Sequence, residues 1–182
     1  QVVAQLERVA PQPEPVAVVG PTPYSKGFSE HQRSYAVGDE YVYRVIDSLT
    51  KISQPLKMKV SAVNAIDDRV EYNGGQYSSD LMGNIVSNLR GSFNTPRQFY
   101  PAELFVGKKW RSEFKQTRAN GVTFTFRYDL RVVAREEITV PAGTFNAFKI
   151  EARGFNMQLG AALSRNIWVA PGVAADIAHE TL

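Results

Sequence analysis

From Val122 to Val132 the chain alternates without a break. Val122, Phe124, Phe126, Tyr128, Leu130 and Val132 are apolar, and the five residues between them (Thr123, Thr125, Arg127, Asp129, Arg131) are polar. A period of two puts the two sets on opposite faces of a β-strand, the pattern of an antiparallel sheet with one face on a core and one in water. Ala119-Asn120-Gly121 just before this run is a hairpin signal, so residues 109–117 are expected to pair with it. The run continues toward Val140, where Pro141-Ala142-Gly143 forces a turn. Residues 146–154 then return with Phe148, Ile150 and Ala152 on one face.

The same reading gives strands over residues 41–47, 56–65, 69–73, 166–170 and 173–180, with turns at Asp67-Asp68 and Gly74-Gly75. Residues 76–105 are less regular. Leu81, Ile85 and Leu89 have helical spacing, but Gly83-Asn84 inside it suits a hairpin turn, and two short strands are expected. Many strands and hardly any helix predict an all-β fold, an antiparallel and strongly curved sheet or open barrel. Val37-Gly38-Asp39-Glu40-Tyr41 recurs as Val106-Gly107-Lys108-Lys109-Trp110, each time before a strand. Downstream, residues 59–63 echo residues 131–135, which points to two similar meanders.

The first 33 residues are organised differently. Pro11, Pro13, Pro15, Pro21 and Pro23 favour an extended, semi-rigid linker. Residues 2–10 before it leave a short helix or a disordered tail open. The expected division is an N-terminal segment and Pro-rich linker over 1–33 and a single β domain over 34–182.

Composition narrows the function classes. At 182 residues the chain can bury an independent core, and no apolar run approaches the ~20 residues of a helical membrane span, so a soluble domain is expected. Gln1-Val-Val-Ala-Gln shows no charged start followed by an apolar block, so no secretory signal is read there. The absence of cysteine removes disulfides, zinc–thiolate sites and thiol catalysis. His31 and His179 have no motif partners and read as surface histidines, so no metal or other cofactor is expected. No nucleophile elbow or phosphate-cradling loop is present, and enzymatic activity is not expected.

Net charge is +3, yet residues 85–135 hold ten basic residues and three acids. Such a surface attracts anionic partners, or it is a solvated face that deters edge-to-edge pairing. The aromatics fall at inward positions, opposite Arg127 and Arg131, which disfavours nucleic-acid stacking.

With these segments placed, the chain resembles a known family. Residues 100–110 (YPAELFVGKKW), residues 139–150 (TVPAGTFNAFKI) and residues 166–173 (NIWVAPGV) are similar to the TapB-like family of bacterial envelope β-rich domains. The resemblance spans about residues 37–180. It implies a secreted or periplasmic location and no catalytic residues to carry over. In similar proteins the strand after the Trp-Val-Ala-Pro-Gly turn runs on into further sequence, so the final strand, or a further one, is expected to lie past Leu182.

The function expected from all of this is non-enzymatic: an envelope domain that binds a partner protein or anionic envelope component through Lys109, Arg111, Arg127 and Arg131. The alternative is a carrier of a hydrophobic, lipid-like ligand inside the curved sheet, lined by Trp110, Phe124, Phe126, Tyr128 and Trp168. A second alternative is a hydrolase with a carboxylate pair assembled across strands.

Overall fold

A computed structural model describes residues 2–9, 29–30 and 33–182. Among them run fourteen strands and no helix: β1 (Val2–Val9), β2 (Ser29–Glu30), β3 (Glu40–Asp47), β4 (Ser53–Asn64), β5 (Arg69–Tyr72), β6 (Tyr77–Ser79), β7 (Ile85–Asn88), β8 (Gly91–Phe93), β9 (Glu103–Leu104), β10 (Lys109–Thr117), β11 (Thr123–Val140), β12 (Gly143–Asn156), β13 (Ala161–Val169) and β14 (Ala178–Thr181). Twelve of them form one closed antiparallel barrel in the order β1-β14-β13-β12-β11-β10-β8-β7-β6-β5-β4-β3, with β3 returning to β1. β2 and β9 pair separately.

The alternating run is the centre of this sheet. Lys109 pairs with Arg131 and Thr117 with Thr123, so β10 and β11 form the expected hairpin. β11 is longer than the run that reveals it, because it goes on to pair with β12 as far as Val140 and Gly143.

Closure comes from a segment expected to be helix or tail. β1 pairs with β14 (Val2 with Thr181) on one side and with β3 (Val2 with Asp47) on the other. Its spacing of Val3, Leu6 and Val9 suggests a helical face, but Ala4 and Leu6 are the buried side chains, two apart, as a strand requires. The two unpaired edges of β3 and β14 outweigh the local preference. The Pro-rich residues 11–23 and His31 lie outside the described residues.

Two meanders make up the rest, β3 to β8 and β10 to β14, joined where β8 pairs with β10 and through β1. They begin in the same way. The Gly38 N–H donates to the Val60 carbonyl (2.9 Å), and the Asp39 carbonyl accepts from the Val60 N–H (2.8 Å). In the second meander the Gly107 N–H donates to the Val132 carbonyl (2.8 Å), and the Lys108 carbonyl accepts from the Val132 N–H (2.9 Å). Both glycines hold positive φ, 99° and 95°, where a side chain is strained. A bulge then follows each valine, at residues 60–62 and at residues 132–134.

Residues 76–105 hold four short strands, β6 to β9, rather than two. A turn closed by Gly83 N–H to Asp80 carbonyl (2.9 Å) ends β6, and Leu89 sits exposed on the next turn instead of completing an apolar helix face. The final strand is shorter than expected because a turn at residues 170–173 precedes it.

Inside the barrel the two sides differ. Along β10 to β13 the lumen is filled by Phe114, Tyr128, Leu130, Ile150 and Ile167, on which the loop before β9 lays Phe99. The Phe99 ring stands edge-on to Tyr128 at 4.9 Å between centroids. Along β3 to β6 the inward side chains leave a space.

A candidate binding site in the lumen

That space is a cavity of about 200 Å³. It exceeds the ~150 Å³ void that admits a benzene molecule. Tyr41 and Tyr43 on β3, Leu56 and Met58 on β4, and Tyr77 on β6 form one wall; Arg165 and Ile167 on β13 and His179 on β14 form the other. Arg33, Arg97, Tyr100 and Asp176 enter from loops. The lining is thus partly aromatic and aliphatic, with charge concentrated at the loop side.

Asp176 organises that charge. Its carboxylate accepts from Arg33 Nη2 at 2.9 Å and from the Tyr100 hydroxyl at 2.6 Å. Arg33 also donates to the Ala174 carbonyl (3.2 Å) and lies 4.3 Å above the Tyr100 ring. Burial works to raise the Asp176 pKa, but Arg33 and the Tyr100 hydroxyl outweigh it and hold the carboxyl below its ordinary range. Tyr100 is itself fixed by Asn84, whose side chain accepts from the Tyr100 N–H (2.8 Å) and donates to its carbonyl (3.2 Å). Asp80 holds Asn84 in turn, at 2.7 and 3.0 Å. At Gly83 φ is +86°, where a side chain is strained, and a Cβ would push the Arg33 guanidinium aside.

The remaining charges are not balanced. Three guanidiniums, Arg33, Arg97 and Arg165, face the cavity against one carboxylate, Asp176. Among the described residues neither Arg97 nor Arg165 has an ion-pair partner. Arg97 Nε is closed off from solvent with no hydrogen-bond acceptor, while its guanidinium lies 4.6 Å above the Phe99 ring. Burial, and then the neighbouring Arg165 charge, pull Arg97 below the ordinary guanidinium value. Burial also pushes His179 down despite Asp176, so its imidazole is neutral at pH 7. His179 therefore faces the lumen, not the surface as its sequence context suggests.

The residues expected to bind a partner lie elsewhere. Lys109, Arg111, Arg127 and Arg131 do share the outer face of the β10–β11 hairpin, but three of the four are engaged there. Arg111 meets Asp129 at 2.8 Å, Arg127 meets Glu113 at 2.9 Å, and Arg131 meets Glu151 at 3.0 Å. These cross-strand pairs neutralise part of the basic face.

The five aromatics expected around an internal ligand do not line this cavity. Trp110 donates its indole N–H to the Gln98 carbonyl (3.0 Å), and Phe124 lies under Arg118 at 4.5 Å. Phe126 stacks on Phe114 at 5.4 Å, and Tyr128 is buried in the same cluster. Trp168 faces the opposite side of β13 from Ile167 and donates to Glu136 Oε1 at 2.7 Å. The cavity carries a single carboxylate, not a pair.

The signal for the site was present in β13. Leu163, Arg165, Ile167 and Val169 share one face, so an arginine stands at a position whose neighbours are core residues. An ionisable group in an inward register is the mark of a paired or ligand-binding charge. No family model, curated protein or solved structure matches this chain.

Proposed function

We propose that this barrel is a non-enzymatic binding protein of the bacterial envelope that holds a small amphiphile with an anionic head in its lumen. The envelope setting follows the resemblance to the TapB-like family. The observation that carries the ligand reading is Arg97, a half-buried side chain whose Nε is closed off from solvent and unsatisfied, beside an Arg165 that, among the described residues, also lacks a carboxylate. Uncompensated buried charge costs several kcal/mol, and an incoming carboxylate or phosphate removes that cost while forming charge-assisted hydrogen bonds. Leu56, Met58 and Ile167 offer an apolar wall to the rest of the molecule.

The test is calorimetric titration with octanoate, octanol and octylamine. Octanoate is expected to bind, octanol to bind more weakly, and octylamine not at all. Arg97→Met or Arg165→Met should weaken octanoate by at least about thirtyfold, the loss of one charge-assisted hydrogen bond. Equal binding of the amine and the acid would overturn the reading.

A further inference from the structure

The two ends of the barrel differ in a way that the lumen does not explain. In an antiparallel barrel alternate connections lie at the same end. The turns after β3, β7, β10 and β12, residues 48–52, 89–90, 118–122 and 157–160, therefore form one crown, while the turn after β5, residues 73–76, stops short of it beside Gly38. These four turns carry Leu49, Ile52, Leu89, Val122, Met157 and Leu159, each between 45% and 82% exposed. Three further large apolar side chains, Val37, Ile66 and Val106, are exposed at the opposite end, scattered singly.

Charge separates the same way. The four crown turns contain Lys51, Arg90 and Arg118 and no aspartate or glutamate. Asp47, at the end of β3, is occupied by the turn's own amides, accepting from Leu49 N–H (2.8 Å) and Thr50 N–H (3.1 Å). The described connections at the other end carry Asp39, Asp67, Asp68, Asp80, Glu103 and Asp176 against Arg33, Arg97 and Lys108, with Asp80 buried and Asp176 paired with Arg33. Neighbouring crown turns are tied together: Gln116 reaches Asn88 beside Leu89, and the Thr125 N–H donates to Gln158 Oε1 at 2.7 Å.

We infer that this crown docks on an anionic phospholipid surface. Apolar side chains at hairpin tips enter the headgroup region, and the cations beside them meet the negative surface potential. The acidic opposite end sets the orientation, since it is repelled by the same surface. The inference is independent of what the lumen holds.

Vesicle flotation tests it, with phosphatidylglycerol-containing and pure phosphatidylcholine vesicles. The protein is expected to float with the anionic vesicles and to be released by added salt. Lys51→Glu, Arg90→Glu and Arg118→Glu together should cut partitioning by roughly a hundredfold or more, about fivefold for each cation lost. Leu49→Ser, Leu89→Ser and Leu159→Ser together should also abolish flotation. All six sites are exposed, and an unchanged thermal melt shows that the fold is intact. Flotation of either triple variant at the wild-type level overturns the inference. So does a wild-type protein that ignores vesicles but forms a dimer, by sedimentation velocity, that the leucine variants dissociate.

Discussion

The Tyr100 hydroxyl and the Asp176 carboxylate meet at 2.6 Å, although 76 positions separate them in the chain. Arg33 completes the group from the other side of the barrel seam. Asp176→Asn removes the charge that Arg33 is paired with and is expected to cost about 3 kcal/mol in urea denaturation, the scale for stranding one partner of a buried pair. Tyr100→Phe leaves the ion pair and is expected to cost about 1 kcal/mol.

The same group sets the response to acid. His179 has a folded pKa below its unfolded value, so the unfolded chain takes up its proton first. Stability should fall as pH drops below about 6.5 and level off once the folded imidazole also titrates. Asp176 is depressed too; its contribution is whole above about pH 4 and is lost as pH falls through its lower folded value. His179→Gln should remove the first limb of a stability–pH curve and leave the second. Persistence of the first limb in that variant would assign it to another group.

Arg97 is expected to behave in the opposite sense from Asp176. With no ligand, Arg97→Met exchanges a half-buried cation with an unsatisfied Nε for an apolar side chain of similar length. The ligand-free protein should gain about 1–3 kcal/mol while losing octanoate affinity. A destabilised variant would mean that Arg97 serves the fold itself.

Gly38 and Gly107 provide a test of the two-meander architecture. Neither has an atom within 4 Å of where a Cβ would stand, so alanine meets only the cost of positive φ. Gly38→Ala and Gly107→Ala should each cost about 1–2 kcal/mol and agree closely. Widely different values would show that the two turns are alike in hydrogen bonding but not in energy.

β1 is the closing strand, and its removal should show as much. A chain lacking residues 1–9 bares the edges of β3 and β14 and is expected to lose cooperative unfolding and to self-associate on gel filtration. A peptide of residues 2–9 added in trans should restore the melt. Retention of a sharp transition without it would mean that the sheet is stable open.

What the sequence revealed follows the range of the forces involved. The β10–β11 hairpin was legible because its alternation and its Asn120-Gly121 turn are local. The paired starts at Gly38 and Gly107 were legible because one short pattern repeats before each strand. β1 was not, since its residues become a strand only by pairing with β3 and with β14, the latter more than 170 positions away. The lumen was hidden for the same reason. Arg33 lies next to a Pro-rich stretch, Arg97 sits in a generally basic segment, and Asp176 follows a turn. Nothing local distinguishes them from solvated charges. Arg165 alone announced itself, through the core residues on either side of it.

The two meanders open with the same turn and bulge, yet the barrel packs them differently. The second is filled by Phe114, Tyr128 and Phe99 and reaches the cavity through Arg165, Ile167 and His179. The first presents Tyr41, Tyr43, Leu56, Met58 and Tyr77 to empty space. Substitutions on the hollow copy can therefore reshape what the lumen admits while the solid copy keeps its packing. A barrel divided in this way lets its hollow side change shape while the filled side keeps the sheet closed.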